Sequence, residues 1–453
     1  MSKNVYLENL GCAKNQVDAE VMLKILKDRG WTHVQEVGKA DLVIVNTCGF
    51  IEPAREESVN TFFSLKDLNP HAKFIMSGCL SQRYAHNLDL PEADAIFGNR
   101  DLSALNKVID EMEAEEKTGD DHQIVVAPEY PDPDDDAYKR DEILNFTGSA
   151  FLKISEGCNH WCSYCAIPVI RGSLRSCAKF QILDEAKRLI AHGIKEINII
   201  AQDLAAYGTE WDEKSHFLEL LSDLYALGGD VKYRLLYIHP DAFPVELIDF
   251  VKTHERVFPY FDIPVQHVAK HLLRSMGRTG DSATYLSLVN KIRASLPTAV
   301  IRTTIMLGYP GETEEDFEEV LHFVKQARFD WLGCFVYSRE EDTKAYDLVD
   351  EKTQKENEKA GARRKAAIEA EQEKITSERL EERFVGNVYD VLIEEKIEGE
   401  DLSIGRIYSQ APDVDGATVV MGRNLLPGMV VKAGIRGVNG VDLDAVVLED
   451  YNG

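Results

Sequence analysis

Two series of alternating strand-like and helix-like segments, set apart by a stretch that can be neither, limit this chain to few architectures. In the first series, residues 5–10 read as a strand of mixed polarity and residues 16–29 as a helix stopped by Gly30. Residues 42–45 are a short all-apolar strand of the buried parallel kind, and 74–76 and 95–97 continue the pattern. This alternation predicts a doubly wound α/β domain. Three cysteines stand just past its strands: Cys12 in "LGCAKN", Cys48 in "VNTCGF" and Cys79 in "MSGCL". In a parallel sheet such loops leave from one carboxyl edge, where ligands bind, so the three thiols can converge.

From residue 111 to 136 neither pattern survives. Eleven of these residues are Asp or Glu, only Lys117 is basic, and "PEYPDPDDD" can continue neither a helix nor a central strand. A solvated linker is expected. The second series then has strands at 151–155, 197–201, 233–238, 261–265, 300–306 and 332–337, separated by helices such as 181–191 and 314–326. Six such units predict an incomplete βα barrel with its chemistry at the carboxyl ends of the strands. Residues 351–382 read as a charged, solvated helix leaving the barrel. Beyond them, apolar and polar positions alternate between glycine turns up to residue 450, which predicts a small antiparallel β-barrel. The expected partition is 1–117, an acidic linker over 118–145, the barrel over 146–376 and the terminal domain over 377–453.

Length and charge narrow the setting. The 453 residues suffice for roughly three domains. No apolar run approaches the ~18 residues of a membrane span, and "MSKNVYLENLG" resembles no export or transit signal, so a cytoplasmic protein is expected. Eight cysteines in that compartment are ligands or catalysts sooner than disulfides. With 51 basic against 78 acidic residues the net charge is −27, which argues against a broad nucleic-acid footprint and suits a basic partner.

The second series opens on "EGCNHWCSYCAIPVIRG", with Cys158, Cys162 and Cys165 spaced CxxxCxxC. Three crowded thiolates suit a zinc site, a redox switch or part of an iron-sulfur centre. A closed zinc site needs a fourth ligand, and paired CxxC knuckles are missing. A 4Fe-4S cluster on three thiolates leaves one iron open for a substrate or cofactor. With Tyr164 just before the last cysteine, at the head of a partial βα barrel, the motif resembles the radical SAM superfamily. That resemblance implies that the amino and carboxylate groups of S-adenosylmethionine (SAM) chelate the open iron. An electron from the cluster then cleaves the sulfonium to a 5′-deoxyadenosyl radical, with Tyr164 flanking the adenine.

The second triplet, Cys12, Cys48 and Cys79, sharpens the reading. An α/β domain carrying three such cysteines, a radical SAM barrel and a terminal β-barrel together resemble the methylthiotransferases over essentially the whole chain. The resemblance implies a second 4Fe-4S cluster whose open iron carries the sulfur to be inserted, SAM as both methyl donor and radical source, and a terminal TRAM domain. The stretches "LGCAKNQVDAE", "YFDIPVQH" and "FVYSREEDTKA" are similar to the branch that modifies the β-carbon of an aspartate in small-subunit ribosomal protein S-twelve. The alternative branch, which modifies isopentenyladenosine in transfer RNA, typically has serine where His267 stands. Residues 380–453 carry six basic and fourteen acidic residues, a net of −8, which suits a basic ribosomal protein better than RNA. Asp413 and Asp415, in the loop "APDVDG", are expected to contribute to that docking surface. Implied partners are the ribosomal protein, an electron donor such as flavodoxin or ferredoxin, and a sulfur donor.

Gln202, Gln266 and Arg302, near the ends of the second, fourth and fifth barrel strands, are candidate SAM contacts, and Arg302 reads equally well as a buried ion-pair partner. "GYPGET" lacks the lysine of a phosphate loop and predicts a turn in which Thr313 caps the next helix. Cys177, where the family often has Arg, is expected to remove one surface charge. Neither Cys177 nor Cys334 belongs to a triplet, and both read as non-ligands.

Overall fold

In a computed structural model describing residues 3–118, 122–130 and 140–448, the first series forms a six-stranded sheet, parallel throughout. Its strands are β1 (Lys3–Asn9), β2 (Trp31–His33), β3 (Leu42–Thr47), β4 (Lys73–Gly78), β5 (Ala95–Gly98) and β6 (Ile124–Val126), in the order β2-β1-β3-β4-β5-β6. β3 is buried at every residue, as its unbroken apolar run requires of a strand covered on both faces. The three cysteine loops follow β1, β3 and β4, which are neighbours at the centre of the sheet.

The acidic span is not all linker. The helix Leu105–Thr118 runs on through Glu111, and β6 adds to β5 at the sheet edge, where three β-branched residues suffice for pairing. Residues 119–121 and 131–139 of the expected linker lie outside the described residues. At its far end Arg140 is buried between Glu20 and Glu185, the latter at 2.7 Å.

The second series contributes β7 (Ser149–Lys153), a short antiparallel pair β8 (Ser155–Glu156) and β9 (Arg175–Ser176), then β10 (Glu196–Ile200), β11 (Lys232–Leu235), β12 (Val257–Asp262), β13 (Val300–Leu307) and β14 (Trp331–Val336). The six long strands are parallel in the order β14-β13-β12-β11-β10-β7 and do not close, so the barrel is partial. β12 lies earlier than expected because Pro264 has no N–H to donate and the chain turns at Gln266, whose φ is 72°. Thr313 caps the helix Glu314–Ala327 in a capping box with Asp316, as "GYPGET" foretold.

The helix Glu351–Phe384 is not solvated all round. Gly361, Ile368, Ile375, Leu380 and Phe384 are buried, and the helix packs along β13 and β14. It leads into β15 (Val388–Lys396), β16 (Leu402–Arg406), β17 (Thr418–Met421), β18 (Val430–Asn439) and β19 (Asp442–Val447), which close a barrel in the order β15-β16-β17-β19-β18. This barrel does not project freely. Its core is continuous with Phe151, Tyr260, Val300 and Trp331 of the partial barrel. Trp331 donates its indole N–H to the Ser409 carbonyl at 2.6 Å, Arg234 donates to the Tyr408 carbonyl at 2.7 Å, and Arg406 pairs with Glu196 at 3.0 Å.

Asp415 therefore departs from the expected exposed loop. Its carboxylate is buried, accepts the Tyr260 hydroxyl at 2.6 Å and the Ala411 N–H at 2.8 Å, and lies 3.3 Å from Arg302. Asp413 is exposed. Cys177 is a core residue and not a surface position, and Cys334 is also buried. Among the described residues no helix is long and apolar enough to cross a membrane.

Candidate active site

Cys12 precedes the helix Ala13–Asp28 as its N-cap residue, Cys48 follows β3, and Cys79 opens the short helix Cys79–Tyr84. Two glycines let these loops meet. A Cβ on Gly49 would stand 2.6 Å from the Leu80 backbone, and one on Gly78, at φ 96°, would stand 2.6 Å from the Thr47 backbone. Burial pushes the Cys48 thiol up to about 12, and the nearby sulfurs of Cys79 and Cys12 push the same way. Burial also raises the Cys79 thiol, against the opposing pull of Arg171. Left to themselves these thiols hold their protons; a bound metal centre removes them.

The triplet of Cys158, Cys162 and Cys165 has the same character. The loop is closed by Cys158 N–H to the Gly172 carbonyl at 3.2 Å, Cys165 N–H to the Cys162 carbonyl at 3.0 Å and Ser163 N–H to the Met276 carbonyl at 3.0 Å. Burial pushes Cys158 up to about 11 and Cys165 up to about 12, with Cys162 adding to both. Among the described residues no three His, Cys, Asp or Glu side chains converge closely enough to share one metal ion. A polynuclear cluster asks for less, since each thiolate ligates its own iron.

The structure packs Cys79 against the segment that follows Cys165. Cys79 packs with Ala166 and Ile170, just past Cys165, and with Phe50, just past Cys48. Arg171 closes the contact from the partial-barrel side. Its guanidinium donates to Glu156 at 2.8 and 2.9 Å, to Asn15 at 2.5 Å, to Asp18 at 2.9 Å and to the Cys79 sulfur at 3.5 Å. Asn99 donates to the same sulfur at 3.3 Å, and Lys153 pairs with Asp18 at 2.5 Å and Glu156 at 2.6 Å. Arg171 and Lys153 hold the Glu156 carboxyl well below the usual carboxylate range against the opposing effect of its burial. Replacing Arg171 by Met leaves the carboxylates of Asp18 and Glu156 to share Lys153 alone, so unfolding in denaturant is expected to show a loss of about 3 kcal/mol.

Gln202 and Gln266 sit at the carboxyl edge of the partial barrel. Both amide atoms of Gln202 and the carbonyl oxygen of Gln266 are buried with no hydrogen-bond partner in the protein, so they offer contacts to a polar ligand there. Arg302 takes the second of its two readings: it pairs with Asp262 at 3.4 Å and with Asp415 of the terminal barrel. Tyr164 is buried in the barrel core beside Arg278, which hydrogen-bonds it.

Sequence reasoning missed a histidine pair at the same edge. His160, between Cys158 and Cys162, bonds Asp203 at 2.7 Å and stacks on His239 with ring centres 4.2 Å apart. A cavity of about 150 Å³ opens beside them, lined in part by Asn159, His160, Asp203 and Thr209. Burial and the neighbouring Arg278 lower His239 to about 3, so it stays neutral. Its signal was present in the His within "CNHWC", but only the fold brings it to His239.

Comparison with known proteins agrees with this geometry. Residues 4–98 match the uncharacterized protein family UPF0004, residues 152–324 the radical SAM superfamily and residues 385–448 the TRAM domain. The partial barrel is also seen in a radical S-adenosylmethionine methyltransferase, TsrM from Kitasatospora setae, solved with cobalamin and a 4Fe-4S cluster bound. The likeness has a TM-score of 0.51 at 15% identity over 74% of this chain and 75% of that one, and concerns the fold alone. Relatives named ribosomal protein uS12 methylthiotransferase RimO are 42% identical in Treponema denticola, over 97% of this chain and 99% of that protein, and 38% identical in Clostridioides difficile, over 98% of each. One from Myxococcus xanthus is 40% identical over 99% of this chain and 92% of its own. At that identity over nearly the full length, the chain belongs to the RimO family of radical SAM methylthiotransferases.

Proposed function

We propose that this enzyme converts a C–H bond at the β-carbon of an aspartate in ribosomal protein uS12 into C–SCH3. The observation that carries the proposal is the packing of Cys79 on Ala166 and Ile170, which joins the loop of one cysteine triplet to the segment that follows the other across the domain boundary. Cys158, Cys162 and Cys165 would hold one 4Fe-4S cluster and Cys12, Cys48 and Cys79 the other, each with one iron free of protein ligands. When bound, these clusters and SAM supply one-electron chemistry for hydrogen abstraction at an unactivated carbon and a sulfur to be methylated.

The protein's own residues bind, orient and shield. Gln202 and Gln266 have the unpaired amide atoms to receive polar groups of SAM. Arg171 and Asn99 point donors at the Cys79 sulfur, which stabilises negative charge there. Phe50, Ala166 and Ile170 give Cys79 an apolar cover. The net charge of −27 suits a basic protein substrate. A cytoplasmic setting, a flavodoxin or ferredoxin as reductant and a separate sulfur donor complete the reading.

The test is competition. Reconstituted enzyme with SAM, sulfide and dithionite is offered uS12 and isopentenylated transfer RNA together, and both are analysed by mass spectrometry. One methylthio group on an aspartate of uS12 is expected. Methylthiolation of the adenosine with uS12 untouched would assign the enzyme to the other branch.

A further inference from the structure

Residues 338–345, in "FVYSREEDTKA", follow β14 and have no part in either cysteine triplet, yet they bond to segments next to both. Glu340 is 2% exposed, and its carboxylate accepts the Glu52 N–H at 3.1 Å, the Ser338 hydroxyl at 2.6 Å, Arg83 at 2.8 Å and Arg55. Arg83 lies on the helix that Cys79 opens, and it also donates to the carbonyls of Gly49 at 3.1 Å and Glu341 at 2.6 Å. Glu340 thus grips the loops of Cys48 and Cys79 together. Five residues on, the Ala345 N–H donates to the Ser163 carbonyl at 2.8 Å, between Cys162 and Cys165. The turn between these two anchors is tied by the Thr343 hydroxyl to the Glu340 carbonyl at 2.7 Å.

We infer that residues 338–345 are a strap that sets the spacing between the two triplets, with Glu340 as its positioning residue; this rests on the function proposed above. Glu340 touches none of the six cysteines in the hydrogen bonds and ion pairs described, so its work is geometric. Sulfur insertion requires a group held on one triplet to meet a carbon activated at the other, and a misplacement of about 1 Å can cost roughly a hundredfold in rate. SAM cleavage needs only the barrel triplet and does not depend on that spacing.

The test uses E340Q, which keeps the side-chain volume and one acceptor oxygen, and A345P, which removes the donor to Ser163 where φ is already −78°. In each variant iron should stay at about eight per chain. Formation of 5′-deoxyadenosine should stay within about twofold of wild type, while methylthiolated product per 5′-deoxyadenosine falls roughly tenfold to a hundredfold. Pulsed EPR of the two reduced clusters should show a broadened distance distribution. A folded variant with the wild-type distribution and wild-type product ratio overturns the strap, as does a parallel loss of product and SAM cleavage. Absence of product from wild type while its clusters form would instead count against the proposed function.

Discussion

Changing Cys158 to Ala is expected to abolish 5′-deoxyadenosine formation under dithionite, whereas changing Cys48 to Ala leaves part of it and removes all methylthiolated product. The asymmetry follows from where the thiols stand. Cys158 belongs to the loop at the carboxyl edge of the partial barrel, the edge on which Gln202 and Gln266 also stand with unpaired amide atoms. Cys48 follows β3 of the other sheet, and its thiol faces Cys79 and Cys12. Removing either leaves the other triplet chemically intact, so the two losses are separable. Wild-type protein reconstituted without oxygen should hold about eight irons, and variants with one triplet changed to Ala throughout about four. Equal loss of SAM cleavage in folded Cys48→Ala and Cys158→Ala proteins would refute the division.

The placement of the cysteines was legible because apolar runs mark the strands that Cys12, Cys48 and Cys79 follow, and because CxxxCxxC is a local pattern that needs no fold to be seen. What surrounds them was not. Arg171 lies inside the quoted motif, but its partners Asn15 and Asp18 are about 150 residues away, and pairing at that range leaves no periodic trace. Glu340 and Arg83 pose the same difficulty. The edge strands β2 and β6 have three residues each, too few for alternation to stand out. The helix Glu351–Phe384 hid its buried stripe by filling it with Gly361, Arg364 and Gln372 among sparse apolar residues. Its packing on β13 and β14 decides the matter, and a charged composition gave no sign of it. Arg302 fitted a ligand contact and an ion pair equally well by its position, and only the fold supplies the two carboxylates, one of them from another domain, that stand beside it.

The terminal barrel was expected to act as an acidic docking module, and Asp415 shows why its removal is expected to do more. Asp415→Lys would set a cation beside Arg302, within the core shared by the two barrels, and is expected to cost at least about 3–5 kcal/mol, enough to undock or unfold the protein. Asp415→Asn keeps the shape and the acceptor for Tyr260 and Ala411, so it should fold. The pH dependence separates the two effects. Burial pushes the Asp415 carboxyl up from 3.8 to about 6, opposed by Arg302. The folded state therefore binds a proton that the unfolded chain has released, and this stabilisation, complete below about pH 4, is lost as pH rises through about 6. Thermal unfolding of reconstituted wild type should show that decline between about pH 4 and 6, and D415N should lack it. Asp413, exposed on the same loop, is the residue with which to test docking: D413N should leave stability within about 0.5 kcal/mol of wild type. If its affinity for uS12 falls and the fall shrinks with added salt, charge steers the substrate. Full activity in a D415K enzyme, by contrast, would mean that the two barrels need not stay joined for the chemistry to proceed.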